Sequence, residues 1–469
     1  IFFTYIILNN IRYLPYVKTN KVIMYPKSKI NSKIELLKIF IIYLEKKKIE
    51  YCFLGDPEKH ITNIEGDFDF YINIKSKRLI INLVKNFCII HDLKIANLFH
   101  HEFNAFCFVI CYDDISNNSQ IVHLDFCNEY VCDNRRIYKF KSENIKTIKI
   151  SNHTYLKVLK PKSAFIYYLL KKIWKLNIND QELNYIFKLS MEIDDLENTD
   201  IKNFFSINIT REIIDAIKSK NIIFFKQRSN FLKSEIIKIN PIKLRDFYKI
   251  FNRLFFRFSY PAGIFIIILG CDGVGKTSLI TKLVQASKLN HPSLVRRYKY
   301  FHFAPFFMYQ SVNPKATIPN QEQPYNFIIS FIKIIYLYFI FWLGYMFTAK
   351  LHLVRATGII IDRYFYDILV DPGRYRIKLP KIIIKLFSKI VPKPELTFII
   401  TADHKQIYER KKEIQLDQIN KIQNKYIELN KFIKNSYLID NSKDLLKSEI
   451  NMKNIMIDFM NNKFQKMKF

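Results

Sequence analysis

Nine glycines serve a chain of 469 residues, and three of them fall within six positions, Gly270, Gly273 and Gly275. They sit in Gly270-Cys271-Asp272-Gly273-Val274-Gly275-Lys276-Thr277, which fills every fixed position of GxxxxGK[ST]. Before the loop, Ile264 to Leu269 is an apolar, mostly β-branched run of the kind that is buried on both faces of a parallel sheet. After it, Leu279, Ile280 and Leu283 recur at helical spacing. Strand, glycine loop and helix in that order commit this part of the chain to an α/β architecture, the context the motif requires. The scarcity of Gly elsewhere argues against a chance turn. Small residues let backbone N–H groups curl around a phosphate, and the helix N-terminus adds partial positive charge. Lys276 can then reach the outer phosphates, and the Thr277 hydroxyl can ligate Mg²⁺. The candidate nucleotide-binding set is therefore Gly270, Asp272, Gly273, Val274, Gly275, Lys276, Thr277 and Ser278, with ATP and Mg²⁺ as the expected cofactors.

Two further strands support the same unit. Gly358 to Ile361 ends in Asp362-Arg363-Tyr364, and a carboxylate at the C-terminal end of a strand lies where ligands bind in a doubly wound sheet. Asp362 can hold Mg²⁺ or orient an acceptor, and Arg363 can clamp an anion through its fork. A plain surface ion pair is the competing reading of the Asp-Arg step. Leu396 to Thr401 reads as the next strand. The segment Glu409-Arg410-Lys411-Lys412-Glu413 then opens a charged helix, either a mobile lid or a solvated face.

GCDGVGKTS, IIIDRY, PKPELTFII and ERKKE, in this order, resemble the thymidylate kinase-like P-loop kinases over roughly residues 263–440. The resemblance implies a three-layer α/β/α kinase domain and Mg·ATP-dependent phosphoryl transfer. It implies catalytic roles for Lys276, Asp362, Arg363 and Arg410, with Lys276 on the transferring group, Arg363 on the acceptor and Arg410 in the lid. The acidic-proline-glycine segment of thymidylate kinases is replaced here by Tyr300-Phe301-His302-Phe303-Ala304-Pro305. The run from Asp362 through Arg376 is similar to a divergent branch found near surface-polysaccharide genes. The implied acceptor is a nucleotide or a sugar-like molecule.

Nearer the N-terminus, Tyr51 to Gly55 reads as a strand and turn, followed by Gly66-Asp67-Phe68-Asp69-Phe70-Tyr71-Ile72. Residues two apart on a strand share a face, so Asp67 and Asp69 converge. With Asp125 from Val122-His123-Leu124-Asp125-Phe126 they form a candidate carboxylate set for paired Mg²⁺ ions. The pattern is similar to the polymerase-β-like nucleotidyltransferase domain over roughly residues 30–150. It departs at Gly55-Asp56, where that family has a Gly-Ser turn. An inactive domain of the same fold, and two aspartates that merely flank a turn, are the competing readings.

Domain boundaries follow from punctuation. Residues 1–23 read as a non-structural leader, 24–150 as the nucleotidyltransferase-like unit, 151–260 as a helical bridge without Gly from Leu156 onward, and 261–469 as the kinase unit. The 21-residue apolar stretch Phe327 to Phe347 is long enough to span a bilayer, but it lies between motifs of one domain, so a buried or half-buried helix is expected. Seven Cys without a CxxC pair fit reduced thiols and a cytoplasmic protein. A net charge of +32 invites a nucleic-acid reading, yet only 16 of the 74 basic residues are Arg, and abundant Ile, Asn, Phe and Tyr point to codon bias instead. The function expected is phosphotransfer. A nucleotidyltransferase with a regulatory P-loop domain and an ATP-bound scaffold for envelope assembly are the alternatives.

Overall fold

A computed structural model describes residues 30–57, 67–74, 76–114, 119–151, 154–286, 293–305, 323–410, 416–442 and 444–467. The leader expected over residues 1–23, together with Gly66 and Lys411-Lys412-Glu413, lies outside the described residues.

The first unit opens with α1 (Lys33–Lys46), capped by Ser32, whose hydroxyl accepts the Glu35 N–H. It continues through β1 (Tyr51–Phe53), β2 (Phe68–Ile72), α2 (Lys77–Ile90), β3 (Lys94–Glu102), β4 (Ala105–Asp113) and β5 (Ser119–Cys127). The hairpin β6 (Tyr130–Cys132) and β7 (Arg135–Tyr138) stands apart, and β8 (Ile145–Ser151) and β9 (Thr154–Leu159) return to the main sheet. The strand order is β3-β4-β5-β2-β1-β9-β8. Leu156 and Val158 of β9 are buried in the same cluster as Phe53 and Phe70, so this sheet runs past the expected boundary at 150 to Leu159. Alternation along β5 buries Val122, Leu124 and Phe126 under the helices and turns His123, Asp125 and Cys127 to the opposite face.

Five helices follow: α3 (Pro161–Trp174), α4 (Asp180–Met191), α5 (Ile207–Lys218), α6 (Ile222–Ile239) and α7 (Phe247–Ser259). Pro161 sits in the first turn of α3, where its missing N–H costs nothing. Phe165, Leu169 and Ile173 then form one stripe of the bundle's core.

The last unit comprises β10 (Phe265–Leu269), α8 (Lys276–Ala286), β11 (Arg297–His302), α9 (Phe327–Gly344), α10 (Lys350–Val354), β12 (Thr357–Asp362), α11 (Asp367–Val370) and α12 (Lys381–Ile390). It closes with β13 (Leu396–Thr401), α13 (His404–Arg410), α14 (Leu416–Leu429), β14 (Ser436–Asp440) and α15 (Leu445–Gln465). The sheet is parallel throughout, in the order β11-β12-β10-β13-β14. All five residues of β10 are buried, as its apolar run requires. The chain leaves β10 toward β11 and β12 on one side and later reaches β13 and β14 on the other. Such a switch point opens a crevice above the C-terminal strand ends.

The long apolar segment is half-buried. Ser330, Ile334, Leu337 and Phe341 face the core, whereas Ile328, Ile332, Tyr336 and Phe339 face outward. Trp342 Nε1 donates to the Ile390 carbonyl at 2.9 Å, and the Tyr345 ring lies 5.8 Å from that of Phe265. By length and composition alone, Phe327–Val354 is a helix able to cross a membrane, with a third of its most apolar window buried.

The first and last units share a core. Ala96, Phe99, Cys107, Val109 and Cys111 belong to the same buried cluster as β10. The Asn97 amide donates to the carbonyls of Ala262 and Leu294 at 2.7 and 2.8 Å.

Candidate active site

The glycine loop leaves β10 at the switch point and ends on the first turn of α8. Gly270, Gly273 and Gly275 have φ of 142°, 88° and 92°, the left-handed region that glycine occupies without strain. A Cβ on Gly270 would stand 2.5 Å from the Ile400 carbonyl oxygen, and one on Gly275 would stand 2.4 Å from Asn441 Nδ2. Asn441, at the end of β14, braces the loop by donating to the Val274 carbonyl at 2.8 Å. Val274 itself is buried, while Thr277 and Ser278 are exposed at the start of α8.

Lys276 curls back over the loop. Its ammonium is buried and donates to the carbonyls of Gly270 and Cys271 at 2.8 and 2.7 Å. Burial lowers its pKa despite nearby Asp362 and Asp272. Asp272 lies 3.7 Å away and pairs with both Arg363 and Arg374, the latter at 2.5 Å. Burial would push Asp272 upward, but Arg363, Lys276 and Arg374 outweigh it and hold the carboxyl well below its ordinary range.

Asp362 and His302 are register partners at the ends of β12 and β11, with His302 Nδ1 3.9 Å from Asp362 Oδ2. The other carboxylate oxygen of Asp362 is buried without a hydrogen-bond partner among the described residues. Arg363 follows with φ 67°, a strained value for a non-glycine residue, held by its N–H donating to the Ile268 carbonyl at 3.1 Å. Its guanidinium lies 3.5 Å from Asp367, a buried carboxylate that also accepts from Tyr426 at 2.7 Å. Arg410 lies in the last described turn of α13, a helix that opens at His404 rather than at Glu409, and it donates to the Gly273 carbonyl at 3.4 Å. The structure thus brings Lys276, Asp362, Arg363 and Arg410 around one loop. Arg374, Asp367, Tyr426, His302 and Asn441 complete the site. Their order in the chain carries no fixed spacing to the glycine loop, and only the adjacent charges of Asp371 to Arg376 hinted at Arg374.

The residues fit Mg·ATP on three counts: loop glycines at positive φ, a lysine buried over the loop, and, among the described residues, an unpartnered buried carboxylate oxygen of Asp362 at the end of β12, the strand beside β10. Thr277 and Asp362 would hold the metal, and the loop from Gly270 to Ser278 would hold the phosphates.

A second cluster lies on the first sheet. Asp69 and Asp125 are register partners on the parallel strands β2 and β5. Asp67 precedes β2 and pairs with His123 Nδ1 at 3.1 Å. Burial, then the charges of Asp69 and Asp67, push the Asp125 carboxyl up to about 7. The three aspartates therefore share one face, as their spacing predicts. What the sequence did not signal is Lys171 of α3, whose ammonium lies 2.6 Å from Asp69. Burial works against that charge, but Asp69 keeps Lys171 well above its usual value. An internal cation thus stands on one of the expected Mg²⁺ ligands. His101, Cys107 and Asp125 also present ligand atoms within 4.8 Å of one another. The Arg296 guanidinium, however, donates to His101 Nδ1, which disfavours a metal on the same ring.

No family model matches the chain, and no curated protein matches it. Among solved structures it is similar to thymidylate kinase from Candida albicans, over 42% of this chain and 93% of that one, at 17% identity and a TM-score of 0.31. It is likewise similar to thymidylate kinase from Ehrlichia chaffeensis, over 42% of this chain and all of that one, at 16% identity and a TM-score of 0.31. Likeness at that level carries no functional weight. The weight rests on the glycine loop and on the parallel sheet that presents it.

Proposed function

We propose that the chain is a Mg·ATP-dependent phosphotransferase whose acceptor is a nucleotide or a sugar-like molecule. The observation that carries this reading is the placement of Lys276 over the loop at the switch point of a parallel sheet, facing Asp272, Arg363 and Arg374. A phosphoryl group in flight spreads charge over its equatorial oxygens, and fixed cations stabilise that charge without reorganising. Thr277 and Asp362 would hold Mg²⁺, whose chemistry when bound would be to neutralise charge on the transferring phosphate. Lys276 supplies charge on the loop side. Arg363 and Arg374, held apart from it by Asp272, supply two forks to an anionic acceptor.

Acceptor-dependent ADP release across a panel of nucleoside monophosphates and sugars tests the proposal. Release with one member of the panel supports it, and no release above the water rate with any member sinks it. A second reading, nucleotidyl transfer in the first unit, is favoured by the pairing of Asp69 with Asp125 and opposed by Lys171 on Asp69. Pyrophosphate release from a nucleoside triphosphate distinguishes it. All seven thiols are unpaired, which suits a reducing compartment such as the cytoplasm.

A further inference from the structure

Helix α7 is inside out. A helix lying on a globular unit ordinarily turns its apolar stripe inward and its charges outward. In α7 the buried residue is Arg253, which donates to Glu102 and to the His101 carbonyl, both at 2.7 Å. One turn on, Arg257 donates twice to the Val354 carbonyl at 3.1 and 3.2 Å. The opposite face presents Tyr248 (74% exposed), Phe251, Leu254, Phe255 and Phe258 to solvent. Each such side chain forgoes the gain of leaving water.

This face does not stand alone. Lys350 of α10 lies 5.0 Å over the Phe258 ring, and α10 continues from α9 through a π-helical turn at Tyr345–Ala349. The outer side of α9 exposes Ile328 (68%), Ile332, Tyr336 and Phe339. Trp342 and Phe387 then join α9 to α12, which exposes Ile382 (69%), Leu386 and Ile390 at successive turns. Helices α7, α9 and α12, linked through α10, therefore expose apolar side chains well beyond the scattered exposure usual on a protein.

The charge along these stretches of chain has one sign. Residues 247–271, 323–361 and 373–394 contain no Asp or Glu. Lys249 on α7 and Lys381, Lys385 and Lys389 on α12 are exposed at the edges. Exposed aromatic and aliphatic side chains rimmed by lysines, with no acid among them, match the chemistry of an anionic bilayer surface. There rings sit at headgroup depth and each nearby lysine adds attraction. We propose that the outer faces of α7, α9 and α12 dock the protein peripherally on an anionic lipid bilayer, without crossing it.

The test is flotation of the full chain with vesicles of phosphatidylcholine alone and of phosphatidylcholine mixed with phosphatidylserine. The expected result is flotation with the mixed vesicles only, release by high salt or alkaline carbonate, and loss of flotation in Phe251→Ser/Phe255→Ser. Those two side chains are exposed, and an unchanged ATP titration shows that the variant is folded. Replacing Lys381, Lys385 and Lys389 with Gln should weaken partition roughly fivefold for each lysine removed. Carbonate-resistant association overturns the proposal in favour of a span. Absence of flotation, together with a dimer in sedimentation velocity that Ile332→Ser dissociates, assigns the face to a second copy of the chain and overturns it equally.

Discussion

Lys276 and Asp272 are the two side chains on which the loop's chemistry turns, and they respond to different measurements. Under the proposed phosphotransfer Lys276 adds charge where the transition state develops it, so Lys276→Ala should cut turnover by roughly two to three orders of magnitude. Nucleotide affinity should fall less, because loop amides still cradle the phosphates. An ADP-release assay and a nucleotide titration on one variant separate the two effects, and unchanged turnover would remove Lys276 from the mechanism. Asp272 has a pH signature. Its folded pKa lies below the unfolded value of about 3.9, so its ion pairs with Arg363 and Arg374 stabilise the protein above that pH. The stabilisation is lost as pH falls through the folded pKa. Asn resembles the protonated acid, so Asp272→Asn should lower the melting temperature at pH 7, with the deficit closing as the solution is acidified below about 4. A deficit that stays constant with pH would show that the pairs contribute no stability. The same substitution removes the ion-pair partner that positions Arg374 and one of the two that position Arg363, and on the proposed function it should raise the acceptor KM more than it changes ATP affinity.

At the level of elements, the sequence made legible whatever depends on neighbours along the chain. The buried strand before the loop, the glycines at positive φ and the helix after it are local, and Phe265–Leu269, Gly270 to Gly275 and Lys276–Ala286 are where the pattern places them. The alternation that put Asp67 and Asp69 on one face is local too. Contacts across the chain were not legible. Nothing in the spacing of α3 announces that Lys171 reaches a strand 102 positions earlier. Likewise the amphipathic pattern of α7 gives its period but not which side faces inward, since Glu102 and Val354 decide that from distant strands and helices. The Lys171–Asp69 pair yields a prediction of its own. Removing one partner leaves a charge in a low-dielectric site, so Lys171→Met should cost roughly 2–3 kcal/mol, less than a fully enclosed pair because Asp69 keeps 28% of its side chain exposed. The double variant Lys171→Met/Asp69→Asn should recover most of that loss, since it leaves neither charge orphaned. Urea titrations of the two single variants and the double close the cycle. Additive losses would mean that the pair is not coupled.

For the molecule as a whole, the question is whether the two sheets are separate bodies on a tether or halves of one structure. Separate domains meet over polar, modest interfaces, whereas here β3 and β4 contribute Ala96, Phe99, Cys107, Val109 and Cys111 to the core that also holds β10. Helix α15 seals the seam from the other end, with Lys453 donating to the Ser119 carbonyl at 2.8 Å and Asp458 pairing with Lys94 at 2.7 Å. His123 joins the two units physically, with one ring nitrogen on Asp67 and the other 2.9 Å from the Ser293 carbonyl just before β11. Asn97 is buried between the units, and its amide satisfies the carbonyls that precede β10 and β11. Intact protein should therefore melt in a single calorimetric transition. Asn97→Ala orphans two carbonyls, a loss of roughly 1–3 kcal/mol for each one left buried, and it falls on the seam rather than on either core. The expected thermogram of that variant is broader or split, with the first unit leaving before the last one. A fragment beginning at Pro261 should be poorly soluble, because it bares the apolar face that β3 and β4 cover. Two independent transitions in the intact chain, or a soluble fragment that binds ATP as the whole chain does, would show that the shared core is dispensable and that the two units are merely adjacent.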